Sequence, residues 1–181
     1  MGKHNKGFTL LELIIVVAML GITMGIAAPN LIEMISNNRI ATAAADLATA
    51  MQQGKAEAVA RVNPTTLCKR NTDGDDCVGD GDWSQGWIVF SDLNGDASVG
   101  DDDEILLVHE ALHPNITFGG TAGVAAFITF RPTGASSVNN IEALVVCDER
   151  GFIDKSRGLL VTITGRGSVM KASETGQATC L

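Results

Sequence analysis

MGKHNKGFTLLELIIVVAMLGITMGIAAPN, residues 1–30, holds the pattern from which the rest of the chain is read. Lys3 and Lys6 make a short basic leader that ends at Gly7. Phe8 then opens an apolar run reaching Ile32, and Glu12 is its one charged residue. A carboxylate inside a membrane-length segment costs a few kcal/mol and survives where it has a role. An ordinary secretory signal fits this pattern poorly. No small-x-small cleavage site closes a short apolar core, and Ala27-Ala28-Pro29 is a weak substitute. The alternative is an uncleaved membrane anchor.

The remainder has the length of one domain once this segment is set aside. The formal charge is −8, and loss of a leader carrying Lys3 and Lys6 would take it to −10. That balance argues against a general nucleic-acid surface. Cys68, Cys77, Cys147 and Cys180 allow three pairings and lack the Cys-x-x-Cys spacing of zinc and redox sites. Outside the cytoplasm they suit structural disulfides. The favoured pairing is Cys68 with Cys77, closing an acidic loop, and Cys147 with Cys180, pinning the tail; free thiols are the alternative.

Hydrophobic spacing predicts one helix from Phe8 to about Val62 with two characters. Residues 8–32 are apolar on all sides, as a segment in lipid or a filament core must be. Residues 33–62 are amphipathic, with Ile40, Ala43, Ala44, Leu47, Met51 and Ala58 at helical intervals. Pro29, preceded by Gly21 and Gly25, predicts a kink or local melting, or else a boundary between two helices, because proline removes a donor and crowds the preceding turn. Asn63-Pro64 ends the helix. Residues 63–181 change to short β-type runs: 87–91, 105–109, 116–119, 126–131, 143–147, 159–164 and 168–171. With no helical pattern between them, these predict antiparallel sheets.

Gly7-Phe8-Thr9-Leu10-Leu11-Glu12, followed by the apolar run containing Pro29, resembles the class III signal of type IV pilins and of type II secretion pseudopilins. The resemblance implies cleavage between Gly7 and Phe8 by a prepilin peptidase and N-methylation of Phe8. It also implies that Glu12 faces the amino group of Phe8 on a neighbouring subunit, so that Glu12 and Pro29 serve filament assembly. A second stretch, Gly86-Trp87-Ile88-Val89-Phe90-Ser91-Asp92-Leu93-Asn94-Gly95-Asp96, is similar to the GspH/FimT group of minor pilins and pseudopilins. So are Cys147-Asp148-Glu149-Arg150-Gly151 and Thr164-Gly165-Arg166. The fold this implies is α+β, a long N-terminal pilin helix packed on a C-terminal antiparallel β-sandwich. The function it implies is that of a minor type IV pilin in pilus assembly, or a minor pseudopilin of type II secretion. The chain would sit in the bacterial inner membrane as a single-pass protein with a periplasmic domain, then enter a filament. Its partners would be other pilins or pseudopilins and the prepilin peptidase.

Other constellations are weaker. Asp92, Asn94, Asp96 and Asp103 alternate like a calcium loop, but Ala97 stands where such loops need glycine; the plainer reading is an Asx-rich turn between strands. Asp73, Asp75, Asp76, Asp80 and Asp82 read as a solvated loop held by Cys68 and Cys77. In the DNA-uptake branch of the family a Gly-Arg-x-Arg element contacts phosphates. Here Gly165-Arg166-Gly167-Ser168 lacks the second arginine, leaving Arg166 and Lys171 as candidate DNA contacts, with Arg150, Lys155 and Arg157 nearby in sequence. His109 and His113 are spaced for a metal only on a helix, and this segment reads as strand. Trp83 and Trp87 read as packing residues. No nucleophile elbow, phosphate loop or zinc motif appears, so the sequence predicts neither an enzyme nor a cofactor beyond weak calcium.

Overall fold

A computed structural model describes residues 8–151 and 155–176, which divide into two compact units between Ser36 and Asn37. Helix α1, Leu10–Arg61, runs through both. Thr9 starts it: its carbonyl accepts the first helical bond, from Leu13 N–H at 3.2 Å, and its hydroxyl accepts the Glu12 N–H at 3.2 Å, satisfying one donor that a first turn otherwise leaves unpaired. The helical backbone continues through Pro29, so the local melting and the helix boundary considered there are both absent. The residue four before Pro29 is Gly25, which has no side chain to add to the crowding of the ring. Asn30 Nδ2 also donates to the Ile26 carbonyl at 3.1 Å, holding the turn beside the missing donor.

From Phe8 to Ile35 every side chain is exposed. This part of α1 is long and apolar enough to cross a membrane, and none of its apolar stretch is buried.

Among the described residues the second unit carries eight strands: β1 Thr65–Lys69, β2 Trp87–Ser91, β3 Glu104–His109, β4 Ile116–Gly120, β5 Phe127–Phe130, β6 Glu142–Asp148, β7 Arg157–Val161 and β8 Gly167–Lys171. They form two four-stranded antiparallel sheets, ordered β3-β2-β1-β5 and β4-β6-β7-β8. With α1 this is the α+β architecture expected. One strand was not expected. β1 lies in the middle of the first sheet, yet Thr-Thr-Leu-Cys-Lys alternates in no simple way because all five residues are buried. Leu67 faces the main core while Cys68 faces a second cluster with Ile88 and Phe90 on the other side of the sheet. A strand covered on both faces loses the period-two signal.

The main core joins α1 to both sheets. Ile40, Ala44, Leu47 and Met51 from the helix are fully buried with Val89, Phe130, Leu159 and Val161. Gly54 allows the closest approach: a Cβ there would lie 3.2 Å from the Phe130 ring and 3.4 Å from Val89. Small residues on the helix and large ones on the sheets thus interlock at interior density.

Candidate functional site

The residues singled out in the sequence fall at three places. The first is the start of α1. Phe8 is 81% exposed and Glu12 is exposed in the first helical turn; Gly7 and the leader lie outside the described residues. Thr9-x-x-Glu12 has the spacing of a capping box, a signal present in the sequence and not used in reading it. A carboxylate in the first turn also meets the positive end of the helix dipole. Only the threonine half of the capping box forms, Thr9 Oγ1 accepting the Glu12 N–H, and the Glu12 side chain stays exposed in the first turn.

The second place is the acidic flank over the outer face of the first sheet. Cys68 and Cys77 form a disulfide, with Cα atoms 5.6 Å apart. The expected bond between Cys147 and Cys180 cannot be described in the same way, since Cys180 lies outside the described residues. Lys69 is buried under the loop and donates to the carbonyls of Gly79 at 2.7 Å and Gly81 at 3.0 Å. Loss of hydration lowers its pKa from the usual 10.5, outweighing the opposing pull of Asp80 and Asp82. The loop is more than a solvated acidic turn, which corrects the sequence reading. Asp82 accepts from Ser84 N–H at 2.8 Å and Phe118 N–H at 3.0 Å. Asp76 accepts from Cys77 N–H at 2.6 Å and Val99 N–H at 3.1 Å, so it fastens this loop to the next. A cleft of about 400 Å³ beside the loop is lined by Arg70, Asp80 and Gln85 among others. The Arg70 guanidinium there is already bonded to Glu110 and to the Asn71 and Thr72 carbonyls.

The next loop holds the calcium candidates. Asp92 is fully buried, and its two oxygens accept from Thr66 Oγ1 at 2.6 Å, Gly95 N–H at 2.8 Å and Ala97 N–H at 3.2 Å. Asp103 accepts from Leu93 N–H at 3.0 Å and Gly100 N–H at 2.9 Å. Asp96 accepts from Ser98 N–H at 2.9 Å and from Asn94 Nδ2 at 2.8 Å. These bonds are those of linked Asx turns. Among the described residues no three His, Cys, Asp or Glu side chains converge as a metal site. His109 stacks on Trp87, ring centroids 4.0 Å apart, while its Nε2 lies 3.7 Å from Asp46 on α1. Trp83 donates through Nε1 to the Val124 carbonyl at 3.0 Å.

The third place is the basic set. Arg166 precedes β8 and Lys171 ends it, so the strand separates them by about 17 Å at 3.3–3.4 Å per residue. Lys171 lies opposite Arg157 in the register. Arg150 is bonded to Asp148 at 2.6 Å and to Asn37 Oδ1 at 3.0 Å, an internal tie between β6 and the helix. The turn that ends at Arg166 meets the turn that begins at Arg131, which sequence reading did not find: a Cβ on Gly165 would stand 2.4 Å from the Gly134 carbonyl, and Lys55 of α1 reaches the same turn through Thr164 O at 2.7 Å.

Comparison with known proteins bears on the whole chain. The N-terminal methylation motif of prokaryotes matches residues 2–28. The crystal structure of the type IV minor pilin FimU of Pseudomonas aeruginosa, strain PAO1, is similar at 20% identity and a TM-score of 0.62, covering 82% of this chain and 99% of that one. A second crystal form of FimU gives 0.58 over 77% and 98%. The minor pseudopilin EpsH from the type 2 secretion system of Vibrio cholerae is similar at 7% identity and 0.50, covering 74% and 97%. At these identities the structures speak for the fold. No curated protein matches the sequence. The sequence pattern of the family described as type II transport protein GspH matches residues 43–167, well over half of the chain, which therefore belongs to the GspH family of minor pilins and pseudopilins.

Proposed function

We propose that the chain is a minor pilin of a type IV pilus, made as a prepilin in the inner membrane. A prepilin peptidase cuts it between Gly7 and Phe8, and the new terminus is methylated. The segment Phe8–Ile32 then leaves lipid for a filament. Lipid tails are as apolar as the helix, so this transfer depends on packing and on whatever polar pairing the filament adds. Glu12 supplies that pairing by facing the Phe8 amino group of an adjacent subunit, because a buried ion pair is far less costly than either charge alone. The second unit contributes contacts to neighbouring subunits, and none of its groups is assigned a catalytic role.

The observation that carries this reading is an exposed apolar stretch, residues 8–32, whose one charge, Glu12, sits in the first turn of α1 in a chain of this family. Mass spectrometry should find a mature protein beginning with methylated Phe8. Glu12→Ala should be cut normally yet be missing from sheared filaments. Normal recovery of Glu12→Ala in filaments, or an intact Met1 in membranes, would overturn the proposal.

The family's description as a type II transport protein supports a second reading, a minor pseudopilin of a secretion system. Deletion separates the two: loss of surface pili supports the first, and loss of exported enzymes with pili retained supports the second. DNA uptake is a third reading. The separation of Arg166 from Lys171 and the charge of −8 weigh against it, and a low-salt mobility shift abolished by Arg166→Gln would favour it.

A further inference from the structure

The negative charge of the chain is gathered on one flank. Of its 21 acidic residues, 12 lie between Asp73 and Glu110, whereas residues 127–141 and 155–173 contain none. Those two acid-free segments meet. The turn from Arg131 to Gly134, closed by Gly134 N–H to Arg131 O at 2.7 Å, lies against the turn from Thr162 to Arg166, closed by Gly165 N–H to Thr162 O at 2.8 Å. Ser136 joins them, donating its N–H to Ile163 O at 2.9 Å and its hydroxyl to Thr162 O at 2.8 Å. From α1, Lys55 Nζ donates to Thr164 O at 2.7 Å. Gly165 has φ +69° and no room for a side chain, which keeps the two turns in contact.

The result is a surface with three cations and no anion from either turn. Arg131 and Arg166 are exposed and have no ion pair among the described residues. Beside them Val59 is 48% exposed and Ile163 51%. On the acidic flank Asp101 and Asp102 are also exposed. Unlike Asp92, Asp96 and Asp103, they take no part in the turn hydrogen bonds.

We propose that the surface of Lys55, Arg131, Arg166, Val59 and Ile163 docks the acidic flank of a second copy of this chain, with the two arginines meeting Asp101 and Asp102. Charge complementarity selects this occupant, since a strongly acidic surface is the partner such a patch fits and the chain itself carries one. The two surfaces differ, so the contact is head-to-tail. It leaves one patch of each kind open at the ends and propagates instead of closing as a two-fold dimer. It rests on the filament reading only in giving that subunit a lateral contact outside its apolar helix.

The test uses the full chain in detergent micelles, carrying two different affinity tags. Wild-type copies should co-purify, and the yield should fall severalfold between about 0.05 and 0.5 M salt as the charges are screened. Arg131→Glu with Arg166→Glu should lower self-pairing about tenfold, and so should Asp101→Lys with Asp102→Lys, through like-charge contacts. Mixing the two double variants should restore pairing, because one keeps an intact acidic flank and the other an intact basic surface. In the wild type, carbodiimide should join Lys55 of one copy to Asp101 or Asp102 of an isotope-labelled copy. Unchanged self-pairing of either variant, or a mixture that fails to pair, would overturn the proposal. So would a duplex-DNA shift that depends on Arg131 and Arg166 while co-purification does not. Methylated Phe8 and recovery in filaments are measured separately, so failure of the pairing leaves the filament reading intact, and the reverse also holds.

Discussion

Asp92 stands where β2 leaves the first sheet, and Asp92→Ala removes the acceptor that organises the following loop. Three bonds go at once: those from Thr66 Oγ1, Gly95 N–H and Ala97 N–H. Thr66 keeps a partner in Thr129 Oγ1 at 2.7 Å, so its loss is partial. The two amides regain water only if the loop opens, and Ala97, held at φ +60°, then relaxes. Bonds to a charged acceptor contribute about 1.5–3 kcal/mol each, and partial rescue by Thr129 and by water reduces their sum to about 4 kcal/mol. At about 2–4 °C per kcal/mol for a domain of this size, the melting temperature should fall by about 10 °C. Asp92→Asn, which keeps one acceptor oxygen, should lose about half as much. The assay is thermal unfolding of the full chain in micelles, followed by near-ultraviolet dichroism of the buried Trp83 and Trp87. A fall of less than about 2 °C would refute the structural role. A melting temperature that rises in millimolar calcium for the wild type and not for Asp92→Ala would show that these carboxylates serve an ion instead.

Cys68→Ser with Cys77→Ser should cost about 2.5 kcal/mol, from the loop entropy of a nine-residue separation; denaturant titration under oxidising conditions measures it, and a change under about 0.5 kcal/mol would remove the disulfide from the account. Val62 follows the helix with φ +57° and is 71% exposed, so Val62→Gly should stabilise by about 1 kcal/mol by relieving a left-handed β-branched residue; a lower melting temperature would count against that strain. Gly54→Leu should cost about 3 kcal/mol by driving methyl groups into Phe130 and Val89, and a fully stable variant would mean that the helix is free to shift on the sheets.

Much of the architecture was legible because its signals are local. The apolar run with one acid, the amphipathic stripe from Ile40 to Ala58 and the turn-bounded strands from Trp87 onward all express burial on one face. β1 was not legible. Its neighbours β2 and β5 lie 18 or more residues further along the chain, and the acidic loops cover its outer face, so neither alternation nor polarity marks it. The grouping of strands into two sheets likewise came from family resemblance, since pairing partners leave no trace in a strand's own period.

The basic residues show why sites are harder to read than elements. Sequence proximity put Arg166 beside Lys171, but five residues of extended chain carry them to opposite ends of β8. Arg131 is 35 positions away and ends up across a shared turn, because Ser136 bonds to the carbonyls of Thr162 and Ile163. The charge a strand end presents to a partner is therefore set by which turns the sheet order brings together. By the same logic the acids fall into two kinds. Asp76, Asp82, Asp92 and Asp103 are turned inward onto backbone amides, whereas Asp73, Asp80, Asp101 and Asp102 are exposed and able to meet another molecule. An overall charge of −8 thus says little about how this protein associates; what decides it is the division between acids used in folding and acids left exposed, on one flank and opposed by cations on another.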